Sequence, residues 1–221
     1  MNEEVSIHYL IKFGQREHLE MLQNQGQIYM NTLNWFRRYE ENKQIGDRYD
    51  SYDEIQQVKW MKLSFPNGKS MEFSANGEKN RLTGAQNYIS EQRDSFNLYC
   101  MYAITNQIND EYFIDEKNAE FGDSFLVIKN VPDFVNRIET ELRNQKMKFR
   151  HDLVSYYNKN SFTGELGFFK KSMEFAHQNE YRFVAQTLRE EPYILNIGSI
   201  CDYTHIFSIE KLKTLKVKIV E

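Results

Sequence analysis

Proline and glycine are scarce in this chain, three and ten among 221 residues, and no internal repeat or low-complexity segment appears. Little punctuation marks a linker, so the expectation is one domain over residues 1–221. Cysteine is scarcer still. Cys100 and Cys201 stand far apart without Cys-x-x-Cys or Cys/His spacing, each inside an apolar run ("LYCMYAI", "IGSICDY"). That argues against a disulfide framework or a zinc knuckle and predicts two buried free thiols. No apolar run approaches the ~18 residues of a membrane span. The opening "MNEEVSIHYL" has acidic residues where a signal peptide needs positive ones, which gives the expectation of a soluble, cytoplasmic protein. Positive charge is not in excess either: 28 Lys and Arg against 32 Asp and Glu leave a formal charge of −4. The chain as a whole has no attraction for nucleic acid, although a local basic patch stays open.

Several chemical signatures are also missing. The sequence has no GxxxxGK[ST] phosphate loop, no GxGxxG after a strand, no HExxH and no GxSxG. Its five histidines are scattered singly. Asp47, Asp50, Asp53 and Glu54 cluster in "GDRYDSYDE", but without the alternation and placed glycine of a calcium loop, so a solvated acidic loop is expected.

What the chain does have is apolar and aromatic bulk: 40% hydrophobic residues, with 14 Tyr and 16 Phe, which places it among packed globular proteins. Residues 5–13 alternate, with Ile7, Tyr9, Ile11 and Phe13 on one side and His8, Leu10 and Lys12 on the other, as in a strand. "QREHLEMLQNQG" reads as a short helix with Leu19 and Leu22 on one side, stopped by Gly26, and "QIYMNT" as the next strand. "LNWFRRYEENK" suits a turn or two of helix. Residues 45–57 suit a polar, Tyr-rich loop.

"VKWMKLSF" and "SMEFSANG" flank Asn67-Gly68 as a hairpin, and residues 77–94 are weakly patterned. "FNLYCMYAIT" is apolar on both faces, as in a central strand, and "GDSFLVIKN" is a further strand. "VPDFVNRIETELRNQKM" carries a Phe134, Val135, Ile138, Leu142 stripe with Pro132 in its first turn, the clearest helix. "DLVSYYN" reads as a strand, "ELGFFKKSMEFAHQ" as a short helix or extended approach. "EYRFVAQT", "PYILNIG" and "TLKVKIVE" are terminal strands, with a turn of helix at "SIEKLK". Strands outnumber helices without regular alternation. The expected class is α+β, with a largely antiparallel, twisted β-sheet core and short helices.

Within "FAHQNEYRFV" the alternation puts Glu180 and Arg182 on one strand face and Tyr181 and Phe183 on the other, which must be the core. Glu180 then projects from the non-core face, as His8 and Lys12 do in the first strand. If the two strands lie side by side, a polar cleft results. The same spacing also suits an ordinary ion pair on a solvated strand. Lys170 and Lys171 could extend an anion-binding surface or mark a solvated face. Trp35, Phe36, Arg37 and Arg38 could stack on a nucleic-acid strand or turn their aromatics inward.

The opening "IHYLIKFGQREHLEMLQNQGQIYMNT" and the closing "QNEYRFV…PYILNIGSI…IEKLKTLKVKIV" resemble the first and last motifs of the ADP-ribosyltransferase fold. Within it they are similar to the DarT-type nucleic-acid ADP-ribosyltransferases. "FFKKSMEFAHQNEYRF" also looks like bacterial and phage-associated proteins with an E-Y-R or E-W-R signature. The resemblance covers roughly the first 35 and last 55 residues.

It implies a split sheet, NAD as substrate, and transfer of ADP-ribose to a nucleic acid or protein, in a toxin or phage-conflict effector. Glu180 would take the catalytic glutamate position and Tyr102 the middle Tyr or Ser position. Lys12 would take the place of a His or Arg that contacts the NAD ribose, and with His8 and Arg182 it would bind the cofactor. Lys12 departs from the family's residue type, since a flexible ammonium lacks the planar geometry of Arg or His. Two other readings stay open: a catalytically silent nucleotide-binding module on the same scaffold, and an interaction protein that docks a partner through the 45–57 loop.

Overall fold

The computed structural model describes residues 5–33, 35–36, 52–78, 80–82, 85–89, 96–107 and 114–215. In chain order, β1 (Ile7–Gly14), α1 (Arg16–Gln25) and β2 (Gln27–Thr32) come first. They are followed by β3 (Glu54–Gln57), β4 (Trp60–Ser64), β5 (Ser70–Ser74), β6 (Gln86–Ile89) and β7 (Phe96–Thr105). Next come β8 (Ser124–Ile128), α2 (Val131–Asn144), β9 (Phe149–Leu153), β10 (Ser155–Tyr157), β11 (Gly164–Glu165) and β12 (Lys170–Ser172). The last strands are β13 (Glu180–Gln186), β14 (Tyr193–Asn196) and β15 (Thr204–Ser208). Short 3₁₀ turns at Glu116–Phe121, Met173–Gln178, Cys201–Tyr203 and Ile209–Thr214 join them.

Among the described residues the β10–β12 ladder is parallel and every other strand ladder is antiparallel. With few helices beside them, the class is α+β.

The sheet is organised around β7. One edge of β7 pairs with the whole of β13, from Glu180 opposite Tyr102 to Gln186 opposite Phe96, and β13 pairs in turn with β9. The other edge is shared by two strands. β1 pairs with its C-terminal part, ending at Ile11 opposite Tyr102, while β2 pairs with its N-terminal part at Asn31 opposite Leu98 and Thr32 opposite Asn97. β1 carries on through β8 to β15, and β2 through β14. The sheet therefore forks, and residues 99–101 of β7 face the gap between the arms.

Chain geometry produces the fork. Past Ile11, β1 keeps its pairing with β8 as far as Gly14 and leaves β7. Helix α1 then turns the chain back, and Gly26 ends it in the left-handed conformation (φ 66°). A Cβ there would meet the Gly198 carbonyl oxygen at 2.1 Å, so both the backbone angle and the close approach require glycine.

Both sheet faces are covered. Leu19 and Leu22 of α1 and Phe134, Ile138 and Leu142 of α2 pack on one face against Leu10, Met101, Tyr181 and Phe183, forming the main core. On the other face Ile11, Phe13, Tyr102 and Phe125 make one apolar patch, and Leu33, Leu98 and Val184 make another.

The structure revises several expectations. β1 is not single-faced: an irregularity between Ile7 and Tyr9 breaks the alternation, Tyr9 is exposed, and Leu10 belongs to the main core. Cys100 is partly buried and Cys201 is exposed, both as free thiols, so the second was not buried as expected. β6 lies in the weakly patterned segment, and β15 was not anticipated. Thr214, where the proposed last strand "TLKVKIVE" begins, closes a 3₁₀ turn, and the rest of that strand from residue 216, the acidic residues 47 and 50, and Arg37 and Arg38 lie outside the described residues. Among those described, no helix is long and apolar enough to cross a membrane.

Candidate active site at the sheet fork

Asn179 sets the start of β13. It adopts the left-handed conformation (φ 36°, ψ 55°), which Asn tolerates better than most residues. Its Nδ2 donates to the Ala103 carbonyl at 2.6 Å, and the Ala103 N–H donates to the Asn179 carbonyl at 2.8 Å. The 3₁₀ turn Met173–Gln178 is thereby fastened to the end of β7. Glu180 follows as the first residue of β13, directly across from Tyr102. Its own N–H donates to the Tyr156 hydroxyl at 2.9 Å.

Glu180 is 8% exposed and Arg182 1%, so of the two alternatives the alternation allowed, a polar cleft or a solvated ion pair, this face of β13 is not the solvated one. The carboxylate is enclosed by cations. Oε1 accepts from Lys171 Nζ at 3.0 Å, and Oε2 accepts from Arg182 Nε and Nη2, each at 2.7 Å. Both cations are anchored in turn: Lys171 donates to Gln178 Oε1 at 2.7 Å, and Arg182 Nη1 donates to the Phe168 carbonyl at 2.8 Å. Burial by itself would push the Glu180 carboxyl up. The Arg182 guanidinium and Lys171 ammonium outweigh it and hold the group well below the usual carboxylate range, ionised at neutral pH. The same burial pushes the Tyr156 hydroxyl up, so it stays protonated.

This network borders a cavity of about 820 Å³ that opens at the fork. Glu180, Arg182, Lys171, Lys12 and Tyr102 line it together. Tyr102 is buried, with its ring edge-on to Phe13 at 6.2 Å between centroids. Lys12 arrives by a different route from the one its sequence position suggested. In the ladders, Glu180 shares its face with Tyr102 and Ile11, whereas Lys12 pairs with Leu126 on the main-core face. The Lys12 side chain enters the gap between the arms instead. Nζ donates to the Cys100 carbonyl at 2.8 Å, satisfying a β7 acceptor that neither β1 nor β2 reaches, and lies 4.7 Å from the Tyr99 ring centroid. Burial lowers the Lys12 pKa, with Cys100 and Glu180 pulling the other way.

Cys100, opposite Arg182, also lines the cavity, and burial together with Glu180 pushes its thiol up to about 11. It is no ready nucleophile at neutral pH.

The structure thus brings Glu180, Arg182, Lys12 and Tyr102 to one cavity. His8 is not among its lining. It sits four residues before Lys12, ~13 Å away along an extended strand, at the irregular end of β1. For Lys171 the sequence left open an anion-binding surface or a solvated face; the structure buries it against the Glu180 carboxylate. Sequence reasoning missed Gln178, which anchors Lys171 from the 3₁₀ turn, and Tyr156 and Asn31, which reach the site from β10 and β2 and leave no local spacing signal. Lys171 and Glu180 are brought together by the 3₁₀ turn between them rather than by any period.

Chemically, the site offers a fixed anion, the basic side chains of Lys12, Lys171 and Arg182 and several aromatic faces in a cavity within the usual size range of small-molecule sites. No protein-family model, curated protein or solved structure matches this chain.

Proposed function

We propose that the chain is an ADP-ribosyltransferase-like enzyme that binds NAD in the fork cavity and transfers ADP-ribose to a nucleic acid or protein, in the setting of a toxin or phage-conflict effector. The observation that carries this reading is the ionised Glu180 carboxylate, fixed by Lys171 and Arg182, in one cavity with Lys12 and Tyr102. Breaking the bond between nicotinamide and ribose builds positive charge on the sugar ring. The bonding electrons leave with the pyridine nitrogen, so nicotinamide departs neutral. A carboxylate that accepts from the ribose 2′-hydroxyl stabilises that oxocarbenium-like state, as carboxylates do in glycoside hydrolysis. Tyr102 supplies a ring against which the base is held, and Lys12 supplies an ammonium for a hydroxyl or phosphate oxygen. Arg182 and Lys171 keep the carboxylate charged and aimed.

A second reading has an observation of its own. Both Glu180 oxygens already accept from cations, so a ribose hydroxyl must share or displace a partner. A catalytically silent nucleotide-binding module on this scaffold would have the same arrangement. The two part in one assay. With labelled NAD and DNA, RNA or cell extract as acceptor, the first reading expects nicotinamide release and label transfer, reduced ~100-fold or more in Glu180→Gln. Binding of NAD with neither release nor transfer supports the silent module.

A further inference from the structure

Asn31 lies on β2 opposite Leu98, on the same sheet face as Cys100, Arg182 and Glu180, and it lines the cavity. Its Oδ1 is buried, and among the described residues no donor meets it. A buried acceptor without a donor is costly and rare. The fold gains nothing from it, because the β2 backbone pairs with β7 and β14 whatever the side chain.

Two exposed aromatic side chains share the cavity with this oxygen. Tyr29, two residues back on the same face, is 51% exposed, and Trp35, just beyond β2, is 38% exposed. Both line the cavity. An acceptor in a cavity that also presents exposed aromatic side chains fits a planar heterocycle that carries an N–H donor. Along β7, Leu98 stands four residues from Tyr102, the partner of Glu180, which is ~13 Å of extended chain. That is further than a ribose 2′-hydroxyl lies from the substituents of its own base, so Asn31 and Glu180 address different ends of one ligand.

We infer that Asn31 reads the exocyclic amino group of the distal base of the dinucleotide, which in NAD is adenine. The inference rests on the NAD reading above. An asparagine oxygen accepting from the adenine amino group is the pairing by which asparagine distinguishes adenine. Hypoxanthine carries a carbonyl at that position and would set acceptor against acceptor.

The test is calorimetric titration of the full chain with NAD, nicotinamide hypoxanthine dinucleotide and 3-acetylpyridine adenine dinucleotide. The wild type is expected to bind the hypoxanthine analogue about tenfold more weakly than NAD. Asn31→Leu should lose about that factor for NAD and with it the preference. Asn31→Asp keeps the shape and an acceptor, and should retain the preference, which guards against a folding defect in the first variant. Equal wild-type binding of NAD and the hypoxanthine analogue, or a preference that survives Asn31→Leu, overturns the inference and leaves the NAD reading standing. An Asn31-dependent loss for the acetylpyridine analogue instead puts the residue at the other base and also overturns it. If the wild type binds none of the three, the NAD reading itself fails and this inference falls with it.

Discussion

Glu180 is held by two buried cations, and its replacement should be costly in a way that a surface pair is not. Glu180→Gln leaves Lys171 and Arg182 without their counter-charge. The expected loss is about 3 kcal/mol at neutral pH, where an exposed pair contributes at most about 1 kcal/mol. Urea unfolding of the two chains measures it. The pH dependence has a definite sign. The folded-state pKa of Glu180 is depressed below its unfolded value of about 4.3, so its stabilising contribution is fully present above that value. It drains away as pH falls toward the folded pKa. The stability gap between wild type and Glu180→Gln should therefore shrink from pH 6 to pH 3; a gap that stays constant would mean the carboxylate is not held down.

A buried ion network is weak evidence for stability as such. The triple variant Lys171→Met, Glu180→Leu, Arg182→Met should consequently fold with stability close to or above that of the wild type and have no NAD cleavage. Loss of folding in that variant would mark the triad as structural. At this scale the sequence was partly legible. Alternation along β13 correctly separated Glu180 and Arg182 from Tyr181 and Phe183. Alternation says nothing of what covers a face, and here Lys171 and Phe168, from an earlier segment, bury the polar one.

At the scale of elements, the turns are where local chemistry decides most. Gly26 and Gly68 both have positive φ, 66° and 79°. A Cβ at Gly26 strikes the Gly198 backbone, whereas nothing lies within 4 Å of one at Gly68. Gly68→Ala should therefore cost only the backbone penalty, about 1 kcal/mol. Gly26→Ala should cost clearly more and shift the α1–β2 turn that forms one wall of the fork. Comparable thermal midpoints for the two variants would contradict this. The helix stripe with Pro132 in its first turn, the central apolar strand β7 and the Asn67-Gly68 hairpin were all legible, because each rests on short-range periodicity or turn chemistry. β15 escaped because "THIFS" has a polar start and only partly buried apolar residues.

On the scale of the whole molecule, the site exists because β7 carries two partners on one edge. No single segment encodes that. The sequence placed His8, Lys12 and Glu180 on a common side, but strand register puts Lys12 and Glu180 on opposite faces and leaves His8 outside the cavity. Lys12 reaches the site only through the gap between the arms. Register and branching are set by long-range pairing, and a one-residue change in either reverses every facing residue. On the function proposed above, this fork binds a dinucleotide. The most direct measurement is a crystal structure of the Glu180→Gln chain grown with NAD. The nicotinamide-bearing ribose is expected against residue 180 and the adenine toward Asn31; an empty fork, or NAD bound elsewhere on the molecule, would overturn the proposed function.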